Sequence, residues 1–212
     1  MISEIQNYFS TNSSTFYSNL IQHMELSLAS ILVAMIICIP LGVYISKTAQ
    51  IAEPVINLVN VTRVIPSLAI LALAMPILGV GFKPALLALT VLACPPILIN
   101  TYVAFKEIDP SIREAAYGMG MSRFQTIVKV EFPLALPVML AGIRTASVEV
   151  IASATLAVLI GGGGLGNYIM NGIAMFDTGL LMIGAVPVAL LAVLSESLFG
   201  LVLKRVTIYL RW

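Results

Sequence analysis

The chain has 212 residues, of which 59% are hydrophobic and 10% charged, and its net charge is +1. A soluble domain carries about a quarter charged residues; a chain this apolar cannot cover itself with polar surface, so its solvent is largely lipid and a water-soluble fold is excluded. The net charge alone points to no partner, and nucleic acid is not expected as one.

In chain order, residues 1–22 are polar and contain no lysine or arginine. A secretory signal needs a basic region ahead of its apolar core, so no cleaved signal is expected and residues 1–23 read as an extracytoplasmic segment. His23, the single histidine, has no partner cluster and reads as interfacial. A spanning helix needs about 20 apolar residues. Five runs qualify: 26–46, 55–80, 84–105, 134–160 and 180–203. The second has a polar first half and carries Pro66 and Pro76; the third carries Pro95 and Pro96. Proline inside a spanning helix is tolerated where neighbours satisfy the freed carbonyls, so the spans should form a bundle. The fold class is all-α: a polytopic membrane protein of about five transmembrane helices. Residues 24–205 read as one membrane domain and 206–212 as a tail. Cys38 and Cys94 fall in apolar runs and read as small buried hydrophobes rather than a disulfide or metal site.

Lysine and arginine set the orientation. The 47–54 connection contains Lys47, the 106–133 connection contains Lys106, Arg113, Arg123 and Lys129, and the tail contains Lys204, Arg205 and Arg211. On the other side, residues 81–83 offer only Lys83, and 161–179 has no basic residue and one acid, Asp177. Five crossings put the three basic regions on one side. That side is expected to be the cytoplasm of a bacterial cell, with the N-terminus out and the C-terminus in.

The 106–133 connection carries the signals of a built elbow. Asp109 is a good helix N-cap and Pro110 fits the first helical position. Ser111 to Tyr117 can form about two turns, and Gly118 and Gly120 permit the left-handed geometry that ends a helix. Ser122-Arg123-Phe124-Gln125 reads as a capping box, and Phe124, Ile127 and Val128 share an apolar face. Pro133 marks an end or a bend into the fourth span. Arg113 and Glu114 supply charge for docking, and the small Ala115 and Ala116 allow close approach by another surface. On local physics alone, an ordinary amphipathic interfacial loop is an equal reading.

The spacing separates the two. Glu114-Ala115-Ala116, Gly120 and then Val130-Glu131-Phe132-Pro133 resembles the EAA motif of type I ABC importer permeases, with Val130 and Phe132 standing where that family has isoleucine and leucine. The resemblance covers roughly residues 20–205. It implies that the 106–133 segment is a coupling element docking on an ATPase subunit, with Arg113, Glu114, Ala115, Ala116, Gly118, Gly120 and Arg123 at the contact. It also implies two ATPase subunits holding ATP and Mg, a second permease, identical or homologous, and an extracytoplasmic substrate-binding protein. This chain itself is expected to bind no cofactor and to be no enzyme. The stretches 62–89 and 136–173 look like the osmoprotectant branch, which imports glycine betaine, carnitine or choline. Methionine importers are similar in the glycine-rich stretch, so methionine or another amino acid stays open as substrate.

An ionisable residue at membrane depth is a functional-site candidate. Glu149 lies 12 residues beyond Pro137, about 18 Å along a helix. Gly142, Thr145, Ala146 and Ser153 share its face. Two readings stand: a structural hydrogen bond to another helix, or a pathway lining that favours an ammonium group. Arg144 lies on another face and reads as snorkelling to headgroups; Glu196 is placed to pair with Lys204 or Arg205. On the second span Glu53, Asn57, Asn60, Arg63 and Ser67 form a one-sided polar stripe, which in lipid should face protein or water. It is expected either to meet a second permease along the pathway or to pack on the elbow. Asn57, Asn60, Ser67, Thr145, Glu149 and Ser153 are the candidate pathway residues.

The run Gly161-Gly162-Gly163-Gly164-Leu165-Gly166 is not a phosphate loop, which needs a Gly-Lys-Ser/Thr ending; it reads as a tight external or re-entrant turn. Quaternary ammonium recognition uses an aromatic cage, and Tyr102, Tyr168 and Phe176 form no evident set, so tight binding is expected on the separate receptor. A secondary transporter or channel is the competing class. It should show an inverted repeat or a more charged core, and neither is apparent. A membrane scaffold would not need the polar stripe.

Overall fold

The longest apolar run is part of a still longer helix. In the computed structural model, which describes residues 2–209 and the surroundings of Tyr8 and residues 10–208, helix α1 (Ile2–Ser46) takes in residues 2–23 of the polar N-terminal segment. Its 45 residues extend about 67 Å at 1.5 Å per residue. The hydrocarbon layer is about 30 Å thick, so α1 both crosses and projects. One departure interrupts it, at Asn12 (φ −123°, ψ 23°). Arg211, counted above in the basic tail, lies outside the described residues.

The second span is not one straight helix. Helix α2 (Ala49–Val64) and helix α3 (Ser67–Leu78) meet at 102°. Ile65 between them is extended (φ −74°, ψ 124°), because the ring of Pro66 disfavours helical geometry in the residue before it. The stripe read as continuous from Glu53 to Ser67 is therefore cut, and Ser67 belongs to α3. Helix α4 (Phe82–Lys106) carries Pro95 and Pro96 without breaking. The elbow is α5 (Pro110–Gly118) and α6 (Arg123–Thr126). A π-turn (Ile127–Glu131), helix α7 (Phe132–Ser153) and a 3-10 segment (Ala154–Ile160) follow without interruption. Pro133 thus does not end the helix. It has no N–H and would crowd the carbonyl four residues back; widening the turn, so that the Phe132 N–H reaches the Ile127 carbonyl, accommodates it. Helix α8 (Gly166–Met175) packs on α9 (Thr178–Tyr209).

The described residues form no strand, and four helices are long and apolar enough to cross a membrane, five with the bent pair. The all-α expectation of about five spans holds. Helix α4 is the centre: Ala85, Leu89, Ala93, Ile97 and Leu98 are all 1% exposed or less. Helices α1 and α7 flank it. A Cβ on Gly142 would stand 2.6 Å from the Pro96 carbonyl, so only glycine lets α7 approach α4 this closely, the usual device where lipid removes the hydrophobic drive for packing. Cys38 is buried and Cys94 half-buried, both as free thiols.

The two ends of the bundle differ. At one, Lys47 contacts Glu131, so the basic 47–54 and 106–133 connections share an end. At the other, Gly81 donates its N–H to the Ile160 carbonyl at 2.6 Å, and the glycine-rich turn meets α1, where the Gly164 N–H donates to Gln22 Oε1 at 3.2 Å. Gly161, Gly163 and Gly164 have φ of 75°, 71° and 87°, which side-chain-bearing residues adopt at a cost. His23, read above as interfacial, is 1% exposed at this end, with Nε2 3.1 Å from the Ile151 carbonyl.

Candidate functional site

The elbow is assembled from its caps. Asp109 Oδ1 accepts the Ser111 N–H at 2.9 Å, and that bond holds the Asp109 carboxyl below the usual range. The Gln125 N–H donates to Ser122 Oγ at 3.3 Å while the Ser122 N–H donates to Gln125 Oε1 at 2.9 Å, a complete capping box. Between the caps, Gly120 turns the chain at φ 81°. Gly118, expected to share that geometry, is instead the last regular residue of α5, since one left-handed residue suffices for the turn.

Glu114, Ala115, Gly118, Gly120 and Arg123 are exposed, together with Tyr117, Met119 and Phe124. Ala116 is 1% exposed, so only Ala115 of the two alanines is offered to another surface. Arg113, read as a docking charge, also turns inward. Its Nε donates to Glu131 Oε1 at 2.5 Å and its Nη2 to the Phe105 carbonyl at 2.6 Å. Lys47 Nζ donates to the same Glu131 oxygen at 2.5 Å and lies 5.9 Å from the centre of the Phe105 ring. Glu131 is 1% exposed. The sequence reading used Lys47 only for orientation and named Glu131 only as a position inside the motif, and paired neither; the available signal was a lone carboxylate in an apolar helix running into a span.

The second feature is a cavity of about 230 Å³ where α2 gives way to α3. Arg63 from the last turn of α2, Ser67 from the first turn of α3, Pro95 from α4, and Glu149 and Ser153 from α7 line it. Ser67, Glu149 and Ser153 thus come together, while Asn57 and Asn60 are exposed elsewhere on α2 and Thr145 is exposed one turn before Glu149. Gly142 and Ala146, placed by the helical wheel on the Glu149 face, are buried. Glu149 is exposed and has no hydrogen bond or ion pair among the described residues; Arg63 lines the same cavity. The N-cap of α3 is Pro66, with no side-chain cap, so backbone N–H groups at the start of α3 are left for a ligand or water. Pro96 gives no N–H to the carbonyl of Leu92, another lining residue. Among the described residues, no aromatic side chain lines the cavity.

Arg144 does not snorkel: its Nη2 donates to Glu196 Oε1, joining α7 to α9. Glu196 therefore pairs with Arg144 rather than with Lys204 or Arg205, because α7 brings the guanidinium to it at that depth.

Residues 35–208 match the family described as "Binding-protein-dependent transport system inner membrane component". The chain is 40% identical over 203 residues to the carnitine transport permease protein OpuCB of Listeria monocytogenes, covering 96% of this chain and 93% of that protein. It is 38% identical over 206 residues to the glycine betaine/carnitine/choline transport system permease protein OpuCB of Bacillus subtilis, covering 97% and 95%. Among solved structures, a chain of the inward-facing MetNI methionine ABC transporter superposes with a TM-score of 0.81 at 22% identity, over 90% of this chain and 95% of that one.

Proposed function

The chain belongs to the family of binding-protein-dependent transport system inner membrane components, and on that premise we propose that it carries quaternary-amine osmoprotectants of the carnitine, glycine betaine and choline class through the membrane in an ATP-driven importer. The relatives above support the substrate class by name. The observation that carries the coupling is the elbow: capped at both helices, turned at Gly120, and presenting Glu114 and Ala115 at the end of the bundle where Lys47 meets Glu131.

The complete importer contains two ATPases with their ATP and Mg, a second permease, identical or homologous, and an extracytoplasmic receptor. The N-terminus is outside and the elbow inside. Closure of the ATPases draws the two elbows together, and the helices they carry turn the passage outward. In the cavity, the Glu149 carboxylate attracts the ammonium group in a medium where charges are weakly screened. Arg63 and the start of α3 suit a substrate carboxylate. With no aromatic cage, binding here is weak, and selection rests with the receptor.

The test is ATP-driven uptake by the full transporter in liposomes, supplied in turn with labelled carnitine, glycine betaine, choline and methionine. Receptor-dependent uptake of a quaternary amine, and none of methionine, is expected. Uptake of methionine alone overturns the substrate class; uptake indifferent to ATP overturns the importer.

A further inference from the structure

The elbow runs unbroken into α7 through the π-turn, but its first helix, α5, moves the other membrane helices only if something ties it to them, and one carboxylate gathers most of the polar contacts there. Glu131 closes the π-turn that leads into α7. Its Oε1 holds Arg113 of α5 and Lys47 at the end of α1, each at 2.5 Å. Arg113 also reaches the Phe105 carbonyl in the last turn of α4. A single buried oxygen therefore joins α5, the chain just past the end of α1 and the turn into α7, and Arg113 adds a separate bond to the end of α4. Both bonds are charge-assisted, the stronger class of hydrogen bond. Burying a carboxylate is costly, and ion pairs of this kind are weak evidence for stability alone. Lys47 and Arg113 stay partly open to water, with side chains 33% and 23% exposed, while Glu131 is at 1%. The carboxylate is the enclosed hub and the two cations are its spokes. The π-turn places it: one extra residue in the turn rotates Glu131 relative to α7, a distortion often found at functional positions.

We propose that Glu131 is the positioning residue that makes the coupling elbow and the adjoining ends of α1, α4 and α7 move as one body, so that ATPase closure is converted into helix movement. Without its charge the elbow still docks, and ATP is still hydrolysed, but the stroke is lost between α5 and the bundle. The inference rests on the importer reading above.

The full transporter in liposomes tests it, with ATP hydrolysis and substrate uptake measured on the same vesicles. Glu131→Gln keeps the size and removes the charge. It is expected to retain ATPase co-purification and hydrolysis within about twofold, while substrate carried per ATP falls about tenfold, as expected when a charge-assisted pair is lost. Lys47→Met, at a partly exposed site that folding tolerates, is expected to lower the same ratio, and the double variant to be no worse than Glu131→Gln, the non-additivity of residues in one network. If Glu131→Gln fails to fold, Lys47→Met decides. An unchanged uptake-to-ATP ratio overturns the inference, as does a folded Glu131→Gln protein that sheds its ATPase. Wild-type vesicles without ATP-driven uptake overturn the importer reading and this inference with it.

Discussion

Arg63, in the last turn of α2, and Glu149, in α7, face one cavity at the 102° break between α2 and α3. They lie 86 positions apart in the chain, and Arg63 reaches the cavity because Pro66 ends α2 just after it.

Glu149→Gln removes the negative charge without changing size. ATP-driven uptake of a quaternary amine is expected to fall about tenfold, the scale of one weakly screened charge contact, with membrane levels unchanged. Normal uptake by the variant would sink the pathway role of this residue.

At the elbow, Gly120→Ala places a Cβ where nothing stands within 4 Å, but at φ 81°. The penalty is conformational, about 1 kcal/mol, and falls on the turn between α5 and α6. The protein should fold and its hold on the ATPase should weaken. Glu114→Lys, at an exposed site, should weaken that hold further. Co-purification of the ATPase measures both, and full retention in both variants would remove the docking role.

Gly142→Val drives a side chain into the Pro96 carbonyl and Asn100. Overpacking of this kind costs about 1–3 kcal/mol. A lower unfolding temperature in detergent is expected, along with loss of tight α4–α7 packing; an unchanged midpoint would contradict the contact.

Asp109 caps α5 and its carboxyl is held low by the Ser111 N–H. A carboxylate depressed on folding contributes stability that is present above its ordinary titration range and is lost as pH falls through the folded value. Exchange protection of the Ser111 amide should therefore be full at neutral pH and disappear only under acid conditions below the usual carboxylate range. Asp109→Ala should lack that protection at every pH, and protection that ignores both changes would exclude the cap.

Local signals were readable where the chemistry is local. Asp109-Pro110 and Ser122 with Gln125 announce caps because the bonding partners lie two or three residues away, and both caps form as read, while Gly118, Arg113, Ala116 and Pro133 depart from the reading. The apolar runs announce spans because lipid demands them. The helical wheel failed at Ser67 because it assumes an unbroken helix, and Pro66 breaks it. It also put Gly142 and Ala146 on one inward face with Glu149; both are buried as that reading asks, Gly142 against α4, while Glu149 itself is exposed.

By itself the sequence determined the spans, the charge asymmetry of the two ends and the capped elbow, since each depends on neighbours along the chain or on the solvent around it. Which of its charges meet was decided by packing alone. Arg113 looked outward on paper and points inward in space; Glu131, named only as a motif position, sits at the hub; Arg144 found Glu196 across a helix interface. A buried carboxylate such as Glu131 needs whatever counter-charge the fold brings within reach, and sequence distance says nothing about that reach.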